Sequence, residues 1–147
     1  MSSATYLTAS TLPRISTADL APLVRSRDAS IAVVDVRDDD HVGGHIRSSH
    51  HVASGTHDVA LPELVRTLED KGTVVFHCML SQQRGPKAAI NYVRERERLI
   101  GKDVKGKEQK VVVLEGGFGK WQEVYGEDKE LTEAYAKDVW EGFDGTH

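Results

Sequence analysis

Cysteine is nearly absent from this chain of 147 residues, since Cys78 is its single cysteine. The chain can therefore form neither an internal disulfide nor a multi-cysteine zinc site, and we expect a reducing compartment. No apolar run is long enough to span a bilayer, and residues 1–10 contain neither a basic leader nor a sustained apolar segment. We expect a soluble protein without a secretory signal, located in the cytoplasm, with the nucleus as a second location.

Neither sign of charge dominates, because 19 basic and 23 acidic residues leave a net charge of −4. This balance predicts no nucleic acid and no anionic membrane as a partner, so any anionic ligand has to be bound by a local site. Aromatic residues make up only 6% of the chain, but 39% of its residues are hydrophobic, enough for a conventional core. We expect one domain over residues 1–147.

Short β-branched runs predict buried strands at residues 31–36, 73–76 and 111–114. Helical patterns lie between them: a capping box begins at Ser16, Pro62 is expected to begin a second helix, and Pro86 a third. Strands alternating with helices predict an α/β domain with a mainly parallel sheet flanked by helices. We also expect an exposed loop at 101–110 and a C-terminal helical extension over 126–147, with its helix at residues 131–140.

The junction between the second of these strands and the helix that follows it is unusual. It reads His77-Cys78-Met79-Leu80-Ser81-Gln82-Gln83-Arg84-Gly85-Pro86. In parallel sheets, ligands gather where strands end and loops lead into helices. A loop curled between Cys78 and Arg84 can aim consecutive backbone N–H groups at one point, and the helix N-terminus adds positive potential there.

Arg84 and Cys78 complement each other chemically at such a junction. The planar guanidinium of Arg84 matches two oxygens of a tetrahedral oxyanion. The same positive field favours the thiolate form of Cys78, which is the form that attacks the central atom of the anion. A lone cysteine is more often an inert buried thiol, but the preceding strand and the Gly85-Pro86 helix start favour a catalytic role.

This loop resembles the active-site loop of the rhodanese-fold cysteine phosphatases of the cell-division-cycle dual-specificity type and of the related eukaryotic arsenate reductases. Further matches follow in order along the chain: Val34-Asp35-Val36-Arg37, Gly44-His45-Ile46, and Leu114-Glu115-Gly116-Gly117-Phe118 with Trp121. The resemblance extends over residues 15–121 and implies a rhodanese-like fold with a central five-stranded parallel sheet. It implies that Cys78 is the nucleophile and Arg84 the oxyanion clamp. The oxyanion-binding loop would consist of Met79, Leu80, Ser81, Gln82, Gln83, Arg84 and Gly85.

The resemblance leaves three reactions open, with a phosphatase slightly favoured. A phosphatase of the protein tyrosine or dual-specificity type would form a phosphocysteine that water hydrolyses, with a phosphoprotein among its substrates and no cofactor. An arsenate reductase would need an external thiol, because the chain has no second cysteine. The family indicates glutathione as that co-substrate and glutaredoxin as the partner. A thiosulfate-type sulfurtransferase is disfavoured, because the loop of those enzymes is typically one residue shorter.

The loop itself contains no acid that could protonate a leaving oxygen. The cell-cycle phosphatases usually have an acid just after the cysteine, where this chain has Met79. Glu115, just after the last strand, is the candidate auxiliary acid, although a salt bridge or a cap is the more common role of such a residue. His77 is expected to point to the opposite face of its strand from Cys78 and to support the loop through hydrogen bonds.

Other polar residues receive structural interpretations. Five histidines crowd one polar segment: His41, His45, His50, His51 and His57. Their spacing matches no known ligand pattern, so we expect no metal site. Asp35 and Arg37 match a pair that is mostly architectural in the family. Ser81 either donates its hydroxyl to the thiolate or tightens the loop, and the sequence does not decide between these roles.

Overall fold

A computed structural model describes residues 8, 11–101 and 108–142 of the chain. Most of the loop predicted at 101–110 and the end of the predicted C-terminal extension lie outside the described residues. Within the described residues, no helix combines the length and the apolar character needed to cross a membrane.

Strands and helices alternate along the part of the chain that is described. The strands are β1 (Arg14–Ile15), β2 (Ile31–Asp35), β3 (His45–Ile46), β4 (His50–His51), β5 (Thr73–His77), β6 (Lys110–Leu114) and β7 (Thr132–Glu133). The α-helices are α1 (Thr17–Arg25), α2 (His57–Thr67), α3 (Arg84–Ile100) and α4 (Gly117–Tyr125). The main sheet has five strands in the order β1-β6-β5-β2-β4, and all of its pairings are parallel. The predicted α/β fold with a five-stranded parallel sheet is confirmed.

The central strands are apolar because helices cover both faces of the sheet. In β5, Val74 and Phe76 pack into the core beneath α2 and α3, whereas Val75 faces the opposite core with residues of α1 and α4. This two-sided burial explains the unbroken apolar runs in the sequence. Since the pairing register sets Asp35 beside His77, the residues that follow β2 and β5 emerge at the same edge of the sheet.

The helix starts agree with the sequence prediction at two of three places. The hydroxyl of Ser16 accepts a hydrogen bond from the backbone N–H of Asp19 at 3.0 Å, which is the predicted cap of α1. Pro86 lies in the first turn of α3, as predicted. The start predicted at Pro62 is wrong: α2 begins at His57, one turn earlier, and Pro62 lies inside it. The buried side chain of His57 extends the apolar face of α2 by that turn.

The prediction of a helix at residues 131–140 is also wrong. The described part of the extension forms β7, which pairs with β3 in an antiparallel manner, and a short 3-10 helix at Lys137–Trp140. The hydroxyl of Thr132 accepts a hydrogen bond from the Trp121 indole at 3.0 Å and donates one to the carbonyl of Tyr125 at 2.8 Å. The Trp140 indole donates to the carbonyl of Gly43 at 3.0 Å. Tertiary contacts therefore outweigh the helical spacing of the apolar residues here.

Candidate active site

Cys78 follows β5 directly and lies below the first turn of α3. Its side chain is buried, and its Sγ accepts a hydrogen bond from the backbone N–H of Gly85 at 3.4 Å. Gly85 is approached closely, since a Cβ at this position would lie 3.3 Å from the backbone nitrogen of Cys78. The sulfur therefore lies at the N-terminal end of a helix, where the helix dipole is positive.

The start of the loop is held by its carbonyl groups. The carbonyl of Cys78 accepts a hydrogen bond from the N–H of Phe118 at 3.0 Å, and that of Met79 accepts one from the N–H of Gly119 at 2.8 Å. In a trans peptide the C=O and N–H groups point in opposite directions. Because these carbonyls bind α4, the N–H groups of Met79 and Leu80 point to the other side of the loop, where they can bind an anion.

Close backbone approach explains why a glycine begins α4. Gly117 has a φ of +60°, and a Cβ there would lie 2.5 Å from the carbonyl oxygen of Met79. Any other residue would push α4 away from the loop. Ser81 also has a positive φ, of 58°, and its carbonyl accepts a hydrogen bond from the guanidinium of Arg14 at 3.2 Å. The buried Ser81 hydroxyl has no partner among the described residues, and its role stays a prediction.

Arg84 is the first residue of α3, and its guanidinium is bound by two carboxylates. Its Nη1 lies 2.8 Å from Oδ1 of Asp40 and 3.3 Å from Oδ2 of Asp38. The hydrogen bond with Arg84 lowers the pKa of Asp40, and the same contact raises the pKa of Arg84. Sequence reasoning did not single out either aspartate. Their position just after β2, at the edge where Cys78 also emerges, is the signal that could have indicated them.

Asp38 and Asp40 are themselves held in place by the loop. Asp38 accepts hydrogen bonds from the hydroxyl of Ser54 and from the N–H of Gly55, the latter at 3.0 Å, and the Ser54 bond is the main reason why the pKa of Asp38 is lowered. Asp40 accepts a hydrogen bond at Oδ1 from the N–H of Asp38 at 2.9 Å. Both carboxylates are therefore positioned before any ligand binds.

A second ion pair, between Asp35 and Arg37, lies below the loop and is fully buried. The Nη2 of Arg37 lies 2.8 Å from Oδ2 of Asp35 and donates to the carbonyl of Gly44 at 2.8 Å. Burial opposes ionisation of Asp35, but the charge of His77 and the bonds from Arg37 outweigh it and lower the pKa of Asp35 to about 2. This geometry agrees with the architectural role that the resemblance implies.

His77 contacts the loop after β5 from the opposite side of the Cys78 side chain. Its Nδ1 lies 3.0 Å from the carbonyl oxygen of Cys78, and its Nε2 lies 3.8 Å from Oδ2 of Asp35. Burial lowers the pKa of His77. The contact with the Cys78 carbonyl fits the predicted loop support, which stays a prediction.

Glu115 is in an exposed ion pair. Its Oε2 lies 3.0 Å from the Nη1 of Arg14, the same guanidinium that donates to the carbonyl of Ser81. This salt bridge is the more common role of such a residue. The auxiliary-acid role of Glu115 stays a prediction, and Asp40 is the carboxylate that contacts Arg84.

Three of the five histidines stack beside the buried ion pair. The ring centroids of His41 and His51 are 3.7 Å apart, and those of His41 and His45 are 5.9 Å apart. Across the described ranges, no group of three or more His, Cys, Asp or Glu side chains is arranged to hold a metal ion.

A groove of about 480 Å³ opens beside Arg84. Its lining consists of Asp40, Val42, Met79, Arg84, Val139, Trp140, Glu141 and Gly142. Val42 and Val139 are half-exposed apolar side chains on its wall. The groove therefore joins a charged end, at Arg84, to an apolar wall supplied in part by the C-terminal 3-10 helix.

Known proteins resemble this chain over most of its length. A rice protein named arsenate reductase 2.2 is 43% identical over 112 residues, covering 74% of this chain and 80% of the rice protein. The CDC25-like phosphatase YCH1 of Saccharomyces cerevisiae is 40% identical over 119 residues, covering 74% of this chain and 76% of the yeast protein. The solved structure of Ygr203w, described as a yeast protein tyrosine phosphatase of the rhodanese family, superimposes with a TM-score of 0.72 at 34% identity. It covers 88% of this chain and 98% of that one.

The family assignment rests on the sequence as well as on the fold. Residues 18–124 match the rhodanese-like domain, a region that includes the whole loop from Cys78 to Arg84 and the Asp35–Arg37 pair. The resemblance stated from the sequence is thus confirmed: the chain belongs to the rhodanese-like family, in the branch whose named members include CDC25-like phosphatases and arsenate reductases.

Proposed function

We propose that this protein is a cysteine-dependent phosphatase that hydrolyses phosphomonoesters through a phosphocysteine at Cys78. The observation that carries the proposal is the hydrogen bond from the Gly85 N–H to the Cys78 sulfur at the N-terminus of α3, whose first residue is Arg84. A thiolate below a helix N-terminus and beside a guanidinium is suited to attack a bound oxyanion.

The reaction has two displacement steps. In the first, the Cys78 thiolate forms a bond to phosphorus, the ester P–O bond breaks, and the leaving oxygen takes a proton. In the second, water attacks phosphorus, the P–S bond breaks, and inorganic phosphate and the thiolate are released. The guanidinium of Arg84 and the loop N–H groups stabilise the charge on the oxygens that do not leave.

The groove beside Arg84 favours a phosphomonoester over a bare oxyanion. A phosphoryl group bound by the loop would place its organic part against the apolar side chains of Val42, Val139 and Trp140. Arsenate has no organic part and would leave this wall unused. An aryl ester, including a phosphotyrosine of a phosphoprotein, has the size and apolar character that such a wall can bury.

Arsenate reduction is the second candidate, because relatives with 43% and 39% identity are named arsenate reductases. The Cys78 thiolate would bind arsenate with loss of water. Two external thiols, such as glutathione with glutaredoxin, would then be oxidised to a disulfide while arsenic(V) is reduced to arsenic(III). The bond between Cys78 and arsenic would break in this reduction, which releases arsenite and restores the thiolate. We place the sulfurtransferase reaction third, because the loop has five residues between Cys78 and Arg84. For either main reaction, the thiolate requires a reducing compartment, for which we propose the cytoplasm.

The test runs three assays on the same preparation: hydrolysis of aryl phosphates, arsenate reduction with glutathione and glutaredoxin, and sulfur transfer from thiosulfate to cyanide. We expect aryl phosphate hydrolysis to be the fastest. Rapid quenching should trap a phosphoryl group on the protein, located at Cys78 by mass spectrometry. A higher kcat/KM for arsenate than for every aryl phosphate would replace the proposed function with the second candidate.

Cys78→Ser and Cys78→Ala are the matched controls. Both should abolish turnover and the trapped phosphoryl group while leaving the thermal unfolding midpoint close to that of the wild type. Since Cys78 is the only cysteine, no other thiol can substitute. Residual turnover at the wild-type rate in either variant would contradict the assignment of the nucleophile.

A further inference from the structure

The arginine that should bind the substrate already binds an anion of the protein itself. Arg84 contributes one positive charge, and both Asp40 and Asp38 contact its guanidinium, at 2.8 Å and 3.3 Å. A phosphoryl dianion entering this site therefore meets a guanidinium whose two terminal nitrogens already bind carboxylates, and both carboxylates repel the dianion. When substrate binds, one of these carboxylates has to give up its hydrogen bond to Arg84. That carboxylate then lies beside the phosphoryl dianion.

We propose that Asp40 is this carboxylate and that it protonates the leaving oxygen, an inference that rests on the proposed function. Asp40 lines the groove together with Arg84 and Met79, whereas the apolar wall begins at Val42. The oxygen that joins the phosphoryl group to its organic part has to lie where the charged end of the groove meets this wall. Asp40 lies at that boundary.

Asp38 contacts the same guanidinium but is not equivalent to Asp40. The hydroxyl of Ser54 and the N–H of Gly55 hold its carboxylate from behind, and Asp38 does not line the groove. Apart from Arg84, the Asp40 side chain is held by backbone N–H groups of its own loop, among them that of Asp38 at 2.9 Å. We infer that Asp38 is a positioning residue that keeps Arg84 in place, while Asp40 gives up its bond to Arg84 and contacts the leaving oxygen of the substrate.

Asp40 gains and loses a proton at defined points of the reaction. When the oxyanion takes the donors of Arg84, Asp40 takes up a proton from water, because the dianion now disfavours its charge. As the P–O bond breaks, the Asp40 carboxyl gives this proton to the leaving oxygen and becomes a carboxylate. In the second step, the carboxylate accepts a proton from the water that attacks phosphorus. When phosphate leaves, Asp40 returns this proton to the solvent and binds Arg84 again, so each cycle begins with an ionised Asp40.

Several charged groups face Asp40 and set the pH at which it works. Arg84 of α3 favours its ionised form, as does the guanidinium of Arg37, which donates to the backbone carbonyl of Asp40 at 3.4 Å. Asp38 of the same loop and Glu141 across the groove disfavour it, as does the bound dianion. In the free protein the contact with Arg84 prevails and the pKa of Asp40 is lowered. Only the substrate complex removes that contact.

The experiment compares two substrates that differ in the acidity of the phenol released: phenyl phosphate, whose leaving oxygen needs a proton, and 4-nitrophenyl phosphate, whose leaving oxygen needs it little. Asp40→Asn should lower kcat/KM for phenyl phosphate by roughly 100- to 1,000-fold and for 4-nitrophenyl phosphate by less than about tenfold. With phenyl phosphate, the decrease in wild-type kcat at alkaline pH should be absent in Asp40→Asn. Asp38→Asn should lower both activities by the same factor, and the exposed control Asp39→Asn should lower neither.

The outcomes separate this inference from the proposed function. Equal losses on both substrates in Asp40→Asn would show that Asp40 only positions Arg84, and would overturn its role as proton donor while leaving the phosphatase intact. A leaving-group preference in Asp38→Asn instead of Asp40→Asn would overturn it as well. If the wild type hydrolyses neither ester, the proposed function fails, and the role of Asp40 fails with it.

Discussion

Two aspartate–arginine pairs have their aspartates, Asp35 and Asp40, on the same segment of this protein, and the pairs differ mainly in their access to water. In the Asp35–Arg37 pair, both side chains are 0% exposed, and Arg37 also packs over the ring of Phe118, with 4.2 Å between its Cζ and the ring centroid. In the Asp40–Arg84 pair, each side chain is 34% exposed and lines an open groove. A buried pair cannot exchange its partner without leaving a charge unsolvated, whereas a half-exposed pair can.

The two arginines therefore have different roles although both bind aspartates. Arg37 is fixed by Asp35 and by the carbonyl of Gly44, so it holds the loops together below the site. Arg84 is bound firmly enough to be oriented but remains accessible to a ligand. Three measurements of the free energy of unfolding test this distinction.

The largest effect is expected from Asp35→Asn. The substitution leaves the buried guanidinium of Arg37 without its counter-charge, which should cost about 3–5 kcal/mol of stability. Urea denaturation followed by circular dichroism measures this loss. Replacing both members, as Asp35→Leu with Arg37→Met, should recover a large part of it, because no unpaired charge remains. A loss below about 1 kcal/mol in Asp35→Asn would place the buried pair in the same class as exposed pairs.

Acid titration of the wild type should show a smaller effect of the same pair. The folded protein holds the pKa of Asp35 at about 2, below the ordinary value of 3.8. The ionised form thus stabilises the fold at pH values above about 4, and this stabilisation, on the order of 2 kcal/mol, is lost as the pH falls from 4 towards 2. Unfolding curves between pH 2 and pH 6 (about the range over which a carboxyl titrates) measure it. The Asp35→Leu, Arg37→Met protein is the control, and its free energy of unfolding should depend less on pH in this acid range.

The smallest effect on stability is expected from Arg84→Met. A pair that is one third exposed contributes up to about 1 kcal/mol, so the unfolding midpoint should change little. Activity should nevertheless fall by roughly 100- to 1,000-fold, because a donor to the charged oxygens is lost. Arg84→Lys is the matched variant: it keeps the charge but not the planar fork, and should retain an intermediate activity. A loss of stability as large as that of Asp35→Asn would contradict the division between the two pairs.

The sequence predicted those parts of the fold that follow from local patterns. The β-branched runs at β2, β5 and β6 are long and buried on both sides, so their periodicity identified them. β1 has two residues and cannot carry a pattern, and its place at the edge follows from pairing with β6. The start of α2 was misplaced because a proline often begins a helix, whereas the buried face of this one begins at His57.

The candidate site likewise combines a contact that the local sequence predicts with one that it does not predict. Cys78 and Arg84 lie six positions apart on one strand–loop–helix unit, so their meeting could be inferred from spacing and from the family resemblance. The contact between Asp40 and Arg84 joins residues that are 44 positions apart. It depends on β2 and β5 being neighbours in register, which no local pattern specifies. The catalytic roles of Cys78 and Arg84, and the extent of the domain over residues 1–147, stay predictions.

The two tryptophans of the chain have different surroundings. Both are buried, but Trp121 donates its indole N–H to Thr132, whereas Trp140 lines the groove. In a Trp121→Phe protein, tryptophan emission would come from Trp140 alone. The molecule thus contains its own optical reporter of occupancy, with which ligand titrations can be read without a chromogenic product or an attached dye.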